Sequence, residues 1–238
     1  MLFRSAWQEA FERYQQIGQY KQLNFYFSLE DFQFIYFWEW FHRVWARLIG
    51  VVFLIPFLVF LYQRRFTKQM VRPMVILFLL GALQGAVGWI MVASGLTGDA
   101  IYVKPTRLAL HFLFALGLFV YTFWFAMDLV IGKKQVVSDR KTARLSVGLI
   151  ALLVIQLGFG ALMAGHKAAT AAPTWPDING SMIPEAMWHS EWGLLNILEN
   201  KILIHFVHRN LAYLILIGVL LLSLNLYRLK SQSDRKST

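Results

Sequence analysis

Residues 34–62 have the sequence FIYFWEWFHRVWARLIGVVFLIPFLVFLY, a run of apolar and aromatic side chains broken by only a few charges. About 20 such residues in a helix are enough to cross the hydrocarbon layer of a bilayer. Further apolar stretches of spanning length follow at residues 73–96, 105–131, 145–165 and 203–227. These stretches, named helices A to E in chain order, predict an all-α integral membrane protein with five transmembrane helices.

Composition agrees with this class. Hydrophobic residues make up 58% of the 238 residues and charged residues 15%, whereas a soluble domain carries about 25% charged residues. The sequence has no cysteine, which excludes disulfides, iron–sulfur clusters and thiolate-ligated heme. A metal in this protein must therefore be held by histidine, carboxylate or methionine side chains.

The connections between the predicted helices alternate in charge. The B–C loop has little charge and the D–E loop is acidic, whereas the A–B loop, the C–D loop and the tail after helix E are basic. Their basic residues are Arg64, Arg65, Lys68 and Arg72, then Lys133, Lys134, Arg140, Lys141 and Arg144, then Arg228, Lys230, Arg235 and Lys236. By the positive-inside rule the basic side is the cytoplasm or the mitochondrial matrix, so the N-terminus lies outside and the C-terminus inside.

This topology predicts a bacterial plasma membrane or mitochondrial inner membrane protein, and it explains the basic surplus without nucleic-acid binding. Residues 1–35 form an outer N-terminal segment, and residues 36–131 contain helices A to C of a first bundle. Residues 145–228 contain helices D and E of an incomplete second bundle. Residues 166–202 form a long outer loop between these two helices, and residues 229–238 form a basic tail.

Local signals mark the starts of three helices. Ser28 and Asp31 have the spacing of a capping box before helix A. Pro73 and Pro105 are predicted in the first turns of helices B and C, where a helix tolerates proline best.

Two helices share a short pattern. Residues 42–46 are HRVWA in helix A, and residues 208–212 are HRNLA in helix E. Helices B and D also share a spacing of polar, small and sulfur-containing residues, namely Gln84, Gly88 and Met91 against Gln156, Gly160 and Met163. The repeat predicts a four-helix unit that begins again at helix E. One helix before A, and the counterparts of B and C after E, are then expected outside this chain.

Three histidines are predicted at similar depth near the outer side of the membrane: His42, His111 and His208. Ionisable residues within spans are rare and usually functional. Two imidazoles on neighbouring helices can ligate a heme iron from both sides, and the alternative is a set of hydrogen-bonded interfacial histidines. His205 is a second candidate ligand, but only His208 aligns with His42 through the repeat.

The remaining histidines, His166 and His189, fall in the predicted outer loop, where a solvated role is expected. Arg43 and Arg209 directly follow two of the candidate ligands. A guanidinium can bind a heme propionate in bidentate fashion, or it can extend to the membrane surface as interfacial arginines do. Arg47 lies deeper in helix A.

Glu39 precedes His42 by three positions, so the two side chains share one helix face. A carboxylate beside a porphyrin can accept a proton or stabilise a developing cation; the alternative is a solvated residue at headgroup level. Nearby tryptophans either line a porphyrin pocket or belong to the interfacial aromatic belt, and these are Trp38, Trp40 and Trp45.

Several longer motifs coincide with those of a known family. They are residues 37–43 (FWEWFHR) with Arg47 and Gly50, residues 83–89 (LQGAVGW) with Met91, Ser94 and Gly95, residues 107–111 (RLALH), residues 174–176 (TWP) with Asn179, Gly180 and Pro184, and residues 206–209 (FVHR). Over nearly its whole length the sequence resembles the heme A synthase family. Residues 7–34 also look like the first outer loop of that family.

The resemblance implies an oxidoreductase of heme A biosynthesis for cytochrome oxidase, with two similar four-helix bundles. The first bundle binds the substrate heme O between His42 and His111, and Glu39 takes part in oxidising a ring methyl to the formyl group of heme A by successive hydroxylations. The second bundle holds a heme b between His208 and a histidine on the last helix. Arg43 and Arg209 are then propionate-binding residues.

Implied partners are heme O, an unidentified electron acceptor, membrane lipid, and heme O synthase or cytochrome oxidase assembly factors.

The sequence also departs from the family. The first helix and the last two helices of the family have no counterpart in this sequence, so an internal fragment without the second heme b ligand is expected. Ala46 replaces a usual glycine, and the lack of cysteine places the chain in the branch without a cysteine pair. Rival functions are a bis-histidine cytochrome b and a heme transporter or delivery protein, neither of which needs Glu39.

Overall fold

The computed structural model describes residues 4–95, 100–131 and 139–236, with side chains up to residue 229. Leu96 of predicted helix B, and Lys133 and Lys134 of the basic C–D loop, lie outside the described residues. The helices are α1 (Arg4–Gln15), α2 (Gly18–Gln22), α3 (Leu29–Tyr62), α4 (Lys68–Ala93), α5 (Pro105–Val130), α6 (Arg140–His166), α7 (Asn196–Glu199) and α8 (Lys201–Lys236). Short 3-10 helices occupy Ala168–Ala171, Glu185–Met187 and Ser190–Leu195.

Within the described part of the chain, five helices are long and apolar enough to cross a membrane: α3, α4, α5, α6 and the Lys201–Leu229 portion of α8. They correspond to predicted helices A to E in order. Most of their apolar side chains are exposed on the chain's own surface, as expected of helices whose backbone groups are satisfied internally and whose outer faces contact lipid. The prediction of an all-α integral membrane protein is confirmed.

Helices α3, α4 and α6 each begin five residues before the predicted position. The run of apolar residues identifies the membrane-spanning part of a helix, whereas the capping residues lie before it. Helix α3 begins after Ser28, whose Oγ accepts from the Asp31 backbone nitrogen at 3.3 Å while Asp31 Oδ2 accepts from the Ser28 backbone nitrogen at 2.9 Å. The predicted capping box is therefore confirmed. Helix α6 likewise begins after Asp139, whose Oδ2 accepts from the Thr142 backbone nitrogen at 2.8 Å.

The two prolines differ in position. Pro105 is the first residue of α5, as predicted. The expectation for Pro73 was wrong, because α4 starts at Lys68 and Pro73 lies inside it. The proline nitrogen cannot donate the intrahelical hydrogen bond that another residue would form there. The end of helix E was also placed too early, since α8 continues through a polar sequence to Lys236.

The described chain divides into two compact units. The first contains Met1–Arg107 and Phe114–Asp128. In it, α3 and α4 contact each other through Phe53 and Phe78, whose rings stack with centroids 6.4 Å apart. The N-terminal helix α1 packs against the start of α3 through aromatic rings, including a stacked pair of Tyr14 and Phe32 at 4.9 Å.

The second unit contains Leu108–Leu113 and Leu129–Thr238. Its core is formed by Ala109, Leu162 and Ile204, one residue from each of α5, α6 and α8. Helices α6 and α8 run antiparallel, with contacts at several levels along their length. They include a 2.8 Å hydrogen bond from Asn225 Nδ2 to Thr142 Oγ1 and a close approach of Leu149 to Gly218. The predicted bundle boundaries and the four-helix repeat stay predictions.

Candidate functional site

In the first unit, the candidate residues of α3 form a short exposed row. Arg43 Nη2 donates to Glu39 Oε2 at 2.9 Å, and the two side chains are 56% and 59% exposed. The pair spans one helical turn, the spacing at which opposite charges meet on a helix surface. His42 is exposed beside it. Glu39 is therefore held as an ion pair by the arginine predicted to bind a propionate.

Aromatic rings flank this row. Phe37 stacks on Phe41 with centroids 5.9 Å apart, and Phe41 stacks on Trp45, also at 5.9 Å. The three rings form a ladder along one face of α3, because residues four apart lie above one another on a helix. Trp38 and Trp40 are about half exposed. Such a surface suits either a flat ligand or lipid, so both predicted roles of the tryptophans stay open.

In the second unit, His208 is half-buried against α6. Its Nδ1 lies 3.2 Å from the main-chain oxygen of Gln156, and its Nε2 lies 3.4 Å from the side-chain nitrogen of the same residue. A Cβ placed on Gly160 would lie 3.2 Å from His208 Cε1. The spacing shared by helices B and D had singled out Gln156 and Gly160, but their contact with His208 was not predicted.

Arg209 is predicted to bind a propionate, which stays a prediction, and its guanidinium lies among main-chain carbonyls of the loop between α6 and α7. It donates to the oxygens of Asp177 at 2.7 Å and Thr174 at 2.9 Å. Longer contacts reach Pro176 at 3.4 Å and Ala172 at 3.5 Å. Charge-assisted hydrogen bonds of this kind are stronger than neutral ones. Arg209 therefore ties residues 172–177 to the start of α8.

The tied loop has further internal contacts. Trp175 Nε1 donates to the Tyr213 hydroxyl at 2.7 Å. Hydrogen bonds from the Thr174 hydroxyl and the Gly180 backbone nitrogen, with a smaller effect of the Arg209 charge, hold the pKa of the Asp177 carboxyl below its ordinary value. All of these contacts favour the carboxylate. The TWP motif, residues 174–176, thus lies in a hydrogen-bonded turn that is attached to α8 through Tyr213 and Arg209.

The other histidines occupy different surroundings. His111 is half-buried in α5. His205 lies 3.5 Å from Arg209 Nη2.

The solvated role expected for His166 was wrong: its side chain is 9% exposed and its Nε2 lies 2.7 Å from the Leu198 carbonyl oxygen. This histidine is the last residue of α6, where it can bond to the α7 backbone. His189 is exposed and contacts the Trp192 ring.

Two buried asparagines were not foreseen. Asn196 donates to the carbonyl oxygens of His189 and Gly193, each at 2.8 Å, and accepts from the His189 backbone nitrogen at 3.0 Å. Asn200 accepts from the Ile202 backbone nitrogen at 3.0 Å and so caps α8. Asparagine at a helix start was a readable signal for the second of these.

The histidine and carboxylate side chains of the described residues can be compared with the needs of a metal site. Among the described residues there is no group of three or more His, Cys, Asp or Glu side chains that could bind a metal ion. An ion held by protein alone usually needs such a group, whereas a porphyrin supplies most ligands of its iron and needs one or two histidines. His208, whose Nδ1 lies against the Gln156 carbonyl and whose Nε2 lies beside the Gln156 amide, remains a candidate for such a ligand.

Fold and site together define a class: an all-helical integral membrane protein that carries histidine–arginine pairs within its spans. Within that class, the family model described as cytochrome oxidase assembly protein (COX15-CtaA) matches residues 2–238. The chain belongs to this family. No solved structure shows a significant match to it.

Curated relatives carry the name heme A synthase. The protein of Bradyrhizobium sp. strain BTAi1 is 43% identical over 221 residues, which cover 91% of this chain and 60% of the relative. The protein of Flavobacterium psychrophilum is 40% identical over 220 residues, which cover 90% of this chain and 64% of the relative. That of Rhodopseudomonas palustris strain BisB5 is 39% identical over 211 residues, which cover 88% and 58%. The chain thus spans about three fifths of the length of these relatives.

Proposed function

We propose that this chain belongs to a membrane oxidoreductase that converts heme O to heme A by oxidising a ring methyl to a formyl group through successive hydroxylations. The observation that carries the proposal is the similarity to proteins named heme A synthase, at 43% identity over 91% of the chain. The exposed row of Glu39 and His42 on α3 supports it, because it presents a carboxylate beside a potential iron ligand.

The proposed roles follow the chemistry of each side chain. His42 and His111 are assigned to the substrate heme O on the family resemblance, and His208 to one side of a heme b. When bound, the heme iron would supply the redox chemistry. Glu39 accepts a proton from the reacting group or stabilises positive charge near it, a role typical of a positioned carboxylate. Because the methyl carbon loses electrons and gains an oxygen atom, the reaction requires an electron acceptor and a source of that oxygen, either water or dioxygen.

Arg43 is proposed, in preference to Arg209, as the residue that binds a heme propionate. The Arg43–Glu39 pair is more than half exposed, and exposed ion pairs of this kind contribute only about 0.3–0.5 kcal/mol. A propionate can therefore replace Glu39 as the partner of Arg43 at little cost, and the exchange would free the carboxylate for chemistry. Arg209 would first have to release several loop carbonyls.

The membrane arrangement is proposed from the loop charges. The N-terminus and the loop before α8 lie outside, and the basic C–D loop and C-terminal tail lie in the cytoplasm or matrix. Because the similar proteins are bacterial, a bacterial plasma membrane is favoured. Reporters fused after Lys134 and near Asn179 test this orientation. The first should be cytoplasmic and the second external, and the opposite result would contradict the assignment.

The activity test grafts residues 2–238 into the corresponding stretch of a similar heme A synthase, because the chain covers about 60% of such a protein. The graft is expressed in cells that make heme O but no heme A, and extracted hemes are separated by chromatography. A formyl heme is expected, with less or none from the 238-residue chain alone. If the graft binds heme but produces no formyl heme, the bis-histidine electron carrier becomes the better function. Heme O synthase and oxidase assembly factors remain proposed partners.

A further inference from the structure

Helix α6 contacts one imidazole of α8 from three directions. The main-chain oxygen of Gln156 lies 3.2 Å from His208 Nδ1, and the side-chain nitrogen of Gln156 lies 3.4 Å from His208 Nε2. Gly160, one turn further along α6, lies against Cε1 of the same ring. The ring is half-buried, so these contacts determine how it is presented.

One state of the ring satisfies both nitrogen contacts. A main-chain oxygen only accepts hydrogen bonds, and an amide NH₂ only donates them. His208 Nδ1 therefore carries the proton and donates to the Gln156 carbonyl, while Nε2 keeps its lone pair and accepts from the Gln156 amide. This is the neutral tautomer that ligates a metal through Nε2, and a hydrogen bond at the other ring nitrogen is what fixes metal-ligating histidines in proteins.

The Gln156 side chain is weakly held. Its Oε1 is buried and has no hydrogen-bond partner among the described residues. Its contact with His208 Nε2 at 3.4 Å is longer than the usual 2.7–3.2 Å of a strong hydrogen bond. An amide with one long bond and one unpaired oxygen loses little when it moves away. It can cover Nε2 in the heme-free protein and leave when a ligand arrives.

Gly160 provides the space for the ring. A Cβ at this position would lie 3.2 Å from His208 Cε1 and 3.7 Å from Nδ1, and the first distance is shorter than ordinary carbon–carbon contact. Gly158, two residues earlier on the same helix, offers a matched control. A Cβ there would lie 3.8 Å from Leu113 Cδ1, which is an ordinary van der Waals distance.

We propose that α6 presets His208 as an iron ligand: the Gln156 carbonyl and Gly160 fix the ring with Nε2 unprotonated, and the Gln156 amide covers Nε2 until iron replaces it. Gln156 and Gly160 are thus positioning residues that act through His208. The role in iron binding rests on the proposed heme b at His208. The tautomer of the His208 ring in the heme-free protein does not depend on that proposal.

The first experiment examines the heme-free 238-residue chain in micelles, labelled with ¹⁵N-histidine, with His208→Ala used to assign the signals. The wild type and Gly158→Ala should both show His208 protonated at Nδ1 and bare at Nε2. Gly160→Ala should show a mixture of tautomers, because the displaced ring loses its bond to the carbonyl. Gln156→Leu should keep the tautomer and shift only the Nε2 signal. Identical spectra for Gly160→Ala and Gly158→Ala, or an Nε2-protonated wild type, would overturn the proposal.

The second experiment titrates heme b into the grafted protein. Loss of an outer contact to a metal-ligating histidine typically weakens metal binding about 10–100-fold. Gly160→Ala should therefore bind heme at least about ten-fold more weakly than Gly158→Ala, and Gln156→Leu should bind no more weakly than wild type. Unchanged heme binding by His208→Ala would overturn the heme assignment itself. Altered binding by His208→Ala with no effect of Gly160→Ala would overturn only the presetting by α6.

Discussion

The two histidine–arginine pairs are alike in sequence and different in structure. On α3, Arg43 turns back one helical turn to Glu39 at 2.9 Å, and His42 is exposed. On α8, Arg209 extends to the Asp177 and Thr174 carbonyls, and His208 is held by α6.

The residue four positions before each arginine accounts for the difference. Glu39 stands there in α3 and offers a full negative charge to the guanidinium. His205 stands there in α8 and contacts Arg209 only at 3.5 Å, so the guanidinium finds carbonyl oxygens instead. An identical dipeptide thus gives a loosely paired arginine in one unit and a structural tie in the other. The first arrangement suits the proposed exchange of partners at Arg43, and the second suits the proposed role of the neighbouring His208 as a fixed heme ligand.

The largest expected effect separates the two histidines. In the grafted protein, His208→Ala should remove nearly all of the heme b absorption, because the proposed ligand of the heme iron is lost. His42→Ala should leave that spectrum intact and abolish heme A formation. Reduced-minus-oxidised spectra and chromatography of extracted hemes measure the two effects, with the exposed His189→Ala as control. The same spectral loss from both variants would show that the two histidines do not serve separate sites.

The next effect concerns the carboxylate of α3. Glu39→Gln should keep heme binding and lower heme A production about 100-fold, or about 2.7 kcal/mol of barrier, as for a missing acid–base group. Arg43→Gln breaks the same ion pair but keeps the carboxylate, so its loss of turnover at saturating heme O should be much smaller, while loss of the proposed propionate contact should weaken heme O binding. Glu30→Gln, in the first turn of the same helix, is the matched control. Equal losses from Glu39→Gln and Arg43→Gln would assign the effect to the pair and not to the carboxylate.

A smaller effect distinguishes the two arginines. Arg209→Ala removes charge-assisted hydrogen bonds to the loop and should destabilise residues 172–177 by about 1.5 kcal/mol, which raises amide hydrogen exchange there roughly ten-fold. Arg43→Ala removes one exposed ion pair and should cost no more than about 0.5 kcal/mol in α3. Hydrogen-exchange mass spectrometry on both variants measures the difference. If Arg209→Ala increased exchange in residues 172–177 no more than Arg43→Ala increases it in α3, the two arginines would not differ in their contribution to stability.

The smallest effect is a pH dependence of the tied loop. The pKa of Asp177 is lowered, chiefly by the Thr174 hydroxyl and the Gly180 backbone nitrogen. Its contribution to loop stability is therefore fully present above the ordinary carboxyl pKa and is lost as the pH falls through the lowered value. The protection of residues 172–180 against hydrogen exchange, corrected for the intrinsic pH dependence of amide exchange, should fall only in that acidic range. Asp177→Asn should flatten this dependence, and an unchanged profile in that variant would exclude Asp177 as its source.

Much of the fold was predictable because the membrane demands long apolar helices, and only their ends were misplaced, where caps such as Asp139 lie beyond the apolar run. The candidate site was less predictable. The pattern of His42 and His208 suggested equal surroundings, although the residues one turn earlier already differed. The contact of His208 with Gln156 joins residues 52 positions apart. Such a contact arises from the packing of two helices, which a sequence pattern does not reveal. The burial of His166 had the same cause.

The ties around the loop before α8 also determine where its length is free to vary. Arg209 fastens residues 172–177, and Asn196 and His166 fasten the stretch before α8. Between these fastenings, Met182 and Ile183 are 68% and 71% exposed. Insertions during evolution, or an epitope placed by an experimenter, should therefore be tolerated directly after Ile183, where the 3.0 Å hydrogen bond from the Ser181 hydroxyl to the Ile183 carbonyl is left in place. Exposed loop tips accept added residues when no backbone tie is broken.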